Sequence, residues 1–489
     1  MEHGTASAYS WVRPGTPRFF FHLAAWLIAA ASLFAGEAQA LPLFARQTGQ
    51  NCVACHAGGQ FPALTPYGRI FKLTGYTIGV RNPIPLSVMI QAGMTKVANK
   101  TNGSLLDPNG SGGNGAMPND NYPRDGLFTV SQASLFAGGK ITDNLGLFAQ
   151  WTLDPYSQQN GQGKWVSHTA SDQFDLRYAD RLINPGRDLI VGVSLNNNIG
   201  TTDVWNTFNN PFQMVPSPIG PASLQANVFT GPQYSPMLTQ GNLNAGLNAY
   251  AFWNNTVYAE VGLYRNANGI YSIMSQGVSS DNTTTLKGYN PYWRLALNHD
   301  WGANSAMIGL HGLNARVYSD PTNASSPLIR NDDVGIDGQF QHILDPHTFS
   351  AQFSYTRERQ RYDNALWDPN NPAYTGSYAN SSNTIDLLKL NATYIYLAKY
   401  GASLSYVSSQ GSKDAILYAA NPITGSANNR PGTRVWIPEV FWTPIQYVRI
   451  GFQYYKYTQF MGGSTAYDGV SSRSAKDNDL TFLYLWAAY

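Results

Sequence analysis

Cys52 and Cys55 stand two residues apart and are followed at once by His56. They are the only two cysteines in a chain of 489 residues. Two thiols at that spacing can close a disulfide, work as a dithiol redox pair, or add across the two vinyl groups of a porphyrin. The adjoining imidazole favours the last chemistry, because Cys-x-x-Cys-His is the attachment signature of a c-type haem. The expectation is one covalently bound haem c, tethered by Cys52 and Cys55, with His56 as an axial ligand of its iron. A disulfide or dithiol pair is the competing reading.

The residues around this motif run from Phe44 to Tyr76. Cys52, Cys55 and His56 share one face if they lie on a short helix, which Ala57-Gly58-Gly59 then stops. Thr65 is placed to cap a second helix, with Pro66 in its first turn and Gly75 at its end. Phe44, Phe61, Leu64 and Phe71 are candidates to pack on a porphyrin. Arg69 and Lys72 are near enough to neutralise its propionates, Arg69 being the cofactor-binding candidate. A domain of residues 41–80 is too small to bury a core of its own, so it must borrow one from the cofactor and from a neighbour.

Composition describes that neighbour. Only 12% of residues are charged, about half the usual fraction, while Gly reaches 46, Tyr 30, Phe 22 and Trp 12. Mean hydropathy is −0.27, too polar for a bundle of membrane helices. The formal charge of +2 argues against nucleic acid as a partner. Residues 1–40 read as an export signal: Arg13 and Arg18 precede an apolar run from Phe19 to Ala35, and Ala38-Gln39-Ala40 is a small-x-small cleavage site. An uncleaved anchor is the alternative.

After residue 85, short segments alternate with period two. Leu189, Val191, Val193 and Leu195 oppose Gly192, Ser194 and Asn196. Val257, Ala259, Val261 and Leu263 oppose Tyr258, Glu260 and Gly262. Strands are expected at 86–98, 126–138, 145–154, 173–183, 189–198, 243–252, 256–265, 290–299, 304–318, 332–344, 348–358, 383–395, 401–411, 433–442, 445–458 and 479–489. Short turns and long polar loops alternate between them, as periplasmic turns and external loops do in outer-membrane barrels. The fold expected is an all-β transmembrane barrel of about 16 antiparallel strands over residues 85–489. The small α-helical haem domain of residues 41–80 is expected to plug or cap its lumen. Residues 199–242 have room for a further pair of strands, and a soluble β protein is the rival architecture.

Strand parity nominates the second iron ligand. Leu86, Val88, Ile90 and Ala92 form an apolar face, which turns Ser87, Met89 and Gln91 inward. Met89 is the first candidate, since a thioether would raise the potential relative to a second histidine. His311, sharing a face with Met307 and Gly309, is the second. His168 falls in an expected loop, and His299, His342 and His347 sit beside short turns. An open iron is a further alternative. Asp332, Asp333 and Asp337 are the nearest approach to an acidic group on an external edge.

The stretch Phe44-Ala45-Arg46, the Cys52-to-His56 motif, Pro62, Leu64, Gly68, Arg69, Phe71, Gly75 and Tyr76 resembles the N-terminal haem segment of the outer-membrane cytochrome–porin fusions of iron-oxidising bacteria. The resemblance covers about 35 residues in detail and the rest only in size and architecture; Gly58-Gly59 departs from it by a slight lengthening. It implies a ferrous-iron oxidase in the bacterial outer membrane. Electrons would pass from extracellular Fe(II), through the haem, to a periplasmic carrier such as a small cytochrome c or copper protein. A haem-bearing porin, or a conduit with another donor or acceptor, is the alternative.

Overall fold

A computed structural model describes residues 42–59, 63–99, 126, 128–159, 165–207, 244–275, 286–320, 322–422 and 425–489. The export signal, Phe61 and Pro62 lie outside them. Three short helices come first: α1 (Pro42–Thr48), α2 (Cys52–Cys55) and α3 (Pro66–Leu73). Sixteen strands follow: β1 (Leu86–Val97), β2 (Phe128–Lys140), β3 (Leu145–Gln159), β4 (Trp165–Asn184), β5 (Arg187–Asn196), β6 (Asn244–Trp253), β7 (Val257–Asn266), β8 (Asn290–Trp301), β9 (Asn304–Tyr318), β10 (Leu328–Leu344), β11 (His347–Tyr362), β12 (Ser382–Tyr396), β13 (Tyr400–Gly411), β14 (Thr433–Ile445), β15 (Val448–Gln459) and β16 (Leu480–Ala488).

Each strand pairs antiparallel with its sequence neighbours, and β1 pairs with β16 to close the ring. Closure runs from Met89 opposite Ala488 to Val97 opposite Leu480. The terminal Tyr489 adds two backbone hydrogen bonds with Val88, of 2.7 and 2.8 Å. No strand edge is left open, which is the condition for a sheet to live in lipid.

Alternation decides what the two faces meet. Leu247, Val261, Leu263, Leu295, Leu297, Ile308, Leu310 and Val334 point outward and are exposed, while Asn248, Glu260, Arg294, His311, Asp337 and Gln339 point inward and are buried. Beside the short turns, Trp253, Trp301, Tyr394, Tyr396, Tyr400 and Trp442 are exposed on the outer face, an aromatic girdle at one membrane boundary. An apolar belt around a closed barrel with a polar interior places the protein in the outer membrane, and the architecture is that of a channel or conduit.

The sixteen strands expected from alternation are those that form, but several are longer. β3 runs to Gln159, β4 begins at Trp165, β10 begins at Leu328 and β11 continues to Tyr362. These extensions mix polar and apolar residues without the outward apolar run of the strand middles, and backbone pairing holds them where no lipid demands an apolar face. His168, expected in a loop, therefore lies on β4 opposite Asp154. The described start of the 199–242 connection holds a short helix, Ile199–Thr202; positions 208–242 lie outside the described residues.

The acidic trio does not form an edge cluster. Asp332 faces outward and pairs with Arg361 at 2.5 Å. Asp333 and Asp337 face inward and are buried, and Asp337 is paired with Arg294 at 2.5 Å. A period-two strand necessarily puts Asp332 and Asp333 on opposite faces.

Candidate functional site

The Cys52–His56 motif occupies α2 and its C-cap: the His56 amide donates to the Cys52 carbonyl at 2.8 Å. The chain then folds back on itself. The Ala57 amide donates to Ala63 and the Thr65 amide to Cys55, both at 2.9 Å. Thr65 caps α3, its hydroxyl accepting from the Gly68 amide at 3.1 Å and donating to the Ala54 carbonyl at 2.5 Å. α3 thus packs directly against the motif. The approach is closest at Gly68, where a Cβ would stand 2.2 Å from the Cys55 carbonyl oxygen.

This segment makes its remaining contacts with inward-facing side chains and short turns of the barrel. Arg69, 3% exposed, donates to Gln339 and Gln341 at 3.1 Å and to Ser305 at 2.5 Å, and lies 3.4 Å from Asp300. The guanidinium expected beside propionates therefore grips β8, β9 and β10. Lys72 donates to the Asp203 carbonyl at 2.9 Å. The Tyr76 hydroxyl donates to Asp175 on β4 at 2.6 Å, and the Tyr250 hydroxyl on β6 donates back to the Leu73 carbonyl at 2.6 Å. Gln47 ties α1 to the returning chain at Tyr76 and Ile78 and accepts from the Lys140 amide of β2 at 3.0 Å.

Aromatic side chains fill what the short helices cannot. Phe44 meets Phe71 edge-on at 5.1 Å and stacks on Tyr76 at 5.5 Å. Both Phe44 and Tyr76 reach Phe148 of β3, which stacks on Phe136 of β2. The borrowed core comes in part from the barrel wall.

Sequence had pointed to Cys52, Cys55, His56 and Arg69, and these share one compact segment. Met89 is inward-facing and 6% exposed, in an apolar cluster with Leu43, Phe136, Phe482, Tyr484 and Trp486. His311 sits in a polar network: its Nε2 is 3.2 Å from the Thr356 hydroxyl and its Nδ1 3.7 Å from Asp337. Asp337 also meets Arg294 and the Thr207 hydroxyl, and Arg294 lies 3.4 Å from Asp203. His342 and His347 are held by Asn304 and Tyr394. Sequence reasoning missed the wall residues that receive the segment, namely Asp175, Asp300, Ser305, Gln339 and Gln341. The inward run Asp333, Asp337, Gln339, Gln341 on β10 is the signal that was there to read.

The residues present fit a c-type haem. Both thiols lie on one helical turn and neither is in a disulfide. Only half-buried by its own surface, His56 is still ringed by protein deeply enough that desolvation pulls its imidazole down to about 4, so it is neutral at pH 7, the form that ligates metals. Burial, then the neighbouring Cys52, push the Cys55 thiol up to about 11. A dithiol oxidoreductase needs the opposite shift, toward thiolate.

No family model matches the chain, and no curated protein matches its sequence. Among solved structures, the DcaP channel of Acinetobacter baumannii is similar over 83% of this chain and 96% of its own, at 11% identity and a TM-score of 0.43. OmpF of Salmonella typhi, in complex with daunomycin, gives 11% identity and 0.42, covering 83% and 97%. An anion-selective porin from Comamonas acidovorans gives 8% and 0.38, covering 83% and 98%. At this identity and score no property of those proteins transfers to this chain.

Proposed function

We propose that this protein is an outer-membrane electron conduit. It oxidises extracellular Fe(II) at a c-type haem held by Cys52, Cys55 and His56 and delivers the electrons to a periplasmic carrier, a small cytochrome c or copper protein. One observation carries the reading: a haem-attachment motif packed against the inner wall and short turns of a barrel that crosses the membrane. Haem c supplies a one-electron couple there. The chain does the rest by holding and positioning. Cys52 and Cys55 would hold the group on α2, His56 offers a neutral imidazole, and Gly68 lets α3 close against the motif. Arg69 and Lys72 bring positive charge to the segment; Arg69 spends its donors on the wall, so its first task is to lock α3 in place.

Met89 is the residue that would hold the haem iron together with His56. It faces inward, its thioether is a soft donor suited to haem iron, and its surroundings are apolar. The experiment is an absorption spectrum of the purified protein, reduced and oxidised, beside Met89→Leu and the Cys52→Ala/Cys55→Ala pair. The expected result is a c-type spectrum that survives denaturation in the wild type, a changed ligand-field signature in Met89→Leu, and no covalent haem in the double variant. A protein without covalent haem sinks the proposal; an unchanged Met89→Leu spectrum removes Met89 alone.

A further inference from the structure

The outer ends of β10 and β11 carry a feature that the haem segment does not use. Along β11 the sequence Thr356-Arg357-Glu358-Arg359-Gln360-Arg361-Tyr362 alternates strictly. Arg357, Arg359 and Arg361 point outward and are exposed, while Thr356, Glu358, Gln360 and Tyr362 point inward and are buried. Arg361 is engaged with Asp332 and Arg357 with Asp386, both on the outer side. The strand segregates its cations to one face and turns its carboxylate to the other.

Opposite that carboxylate the wall supplies more oxygen. Asp333 is the direct cross-strand partner of Glu358, and Asn331 that of Gln360. All four face inward; Asp333 is 2% exposed, Asn331 5% and Glu358 1%. The amide oxygen of Asn331 lacks a hydrogen-bond partner among the described residues, and no N–H donor among them reaches either carboxylate oxygen of Asp333, whose one side-chain neighbour at that range is the Glu358 carboxyl. Directly beside Asn331 and Asp333 on β9 stand Ala315 and Leu313, and beside Glu358 on β12 stands Ile385; these three side chains have no donors to offer. Glu358 is oriented from behind: the Gln360 amide donates to it at 2.6 Å, the Tyr362 hydroxyl donates to Gln360 at 2.7 Å, and Asn383 donates to Tyr362 at 3.1 Å.

Two like charges directly opposed on neighbouring strands repel, and buried anions need a compensating charge. Donors that are all oxygen, two of them anionic, match a hard divalent cation. We propose that Asp333, Glu358 and Asn331 bind one hard divalent cation on the inner wall near the long-loop mouth, with Gln360 positioning Glu358. That the physiological ion is Fe(II) on its way inward rests on the conduit reading; the cation site itself does not.

The test uses Mn(II) alone as probe, titrated into the full-length protein in detergent and followed by the loss of the free-ion paramagnetic resonance signal. The wild type binds one Mn(II) saturably. Asp333→Asn and Glu358→Gln each weaken it by about tenfold or more, and Asn331→Asp, which adds a charged donor, tightens it. Asp332→Asn, on the outer face, leaves it unchanged. Resistance of each variant to unfolding in unheated detergent shows that the barrel is intact, so that a lost site is not a lost fold. A wild type with no saturable Mn(II), its two carboxylates then sharing a proton, overturns the proposal, as does equal affinity in Asp333→Asn and Glu358→Gln. Reduction of haem by Fe(II) is read on the same samples: a protein that binds Mn(II) but does not reduce keeps the site and loses the conduit.

Discussion

Gly68 is the residue on which α3 closes against the Cys52–His56 motif. A methyl group there would meet the Cys55 carbonyl oxygen at 2.2 Å, and both partners are backbone, so neither can swing aside. Gly68→Ala should push α3 from the motif at a cost of about 1–3 kcal/mol. The expected readout is less haem per barrel with barrel assembly unchanged; full haem content in the variant would show that the close approach does not matter. The Cys52–His56 motif and the Thr65 cap were legible in the sequence because their chemistry is local. The partners of Arg69 were not. Asp300, Ser305, Gln339 and Gln341 lie more than two hundred residues away, and only the register of β8 to β10 brings them to one point.

At the scale of elements, the segment and the wall are joined by a few buried polar links. The Tyr76 hydroxyl meets Asp175, whose charge is already balanced by Arg177 at 2.7 Å. Tyr76→Phe removes one charge-assisted hydrogen bond, worth about 1.5–3 kcal/mol, and leaves the ion pair and the aromatic stack in place. Residues 42–80 should then become more sensitive to protease added to the folded protein, while strands β1 to β16 stay protected. Equal protection in variant and wild type would mean that the other links suffice. Period-two alternation made the strands readable wherever lipid selects the outer face, as at Val257 to Leu263. Beyond the membrane that selection ends, which is why β3, β4, β10 and β11 run past the alternating stretches and why His168 lies on a strand that alternation does not mark.

For the whole molecule, the outer belt fixes where the protein resides. Val261 is 62% exposed in the middle of β7. Val261→Arg should cost about 2–4 kcal/mol of stability in a bilayer, measured by denaturant titration in vesicles, and far less in detergent. The same loss in both media would argue against a lipid-facing position. The barrel as a whole was legible, since alternation recurs on strand after strand and short turns take turns with long loops. The partners of the inward-facing residues were harder to read, because those residues satisfy one another across the ring rather than along the chain. The proposal joins the two: a haem attached at Cys52 and Cys55, beside the wall of a membrane-spanning ring, would carry electrons from one compartment to the other. Vesicles carrying the protein, with cytochrome c enclosed and Fe(II) added outside, test it in one trace. The account predicts that the protein's own haem band and then the enclosed cytochrome become reduced, and that vesicles with the Cys52→Ala/Cys55→Ala protein match protein-free ones. Enclosed cytochrome that stays oxidised in wild-type vesicles, or is reduced equally fast with the double variant, would contradict it.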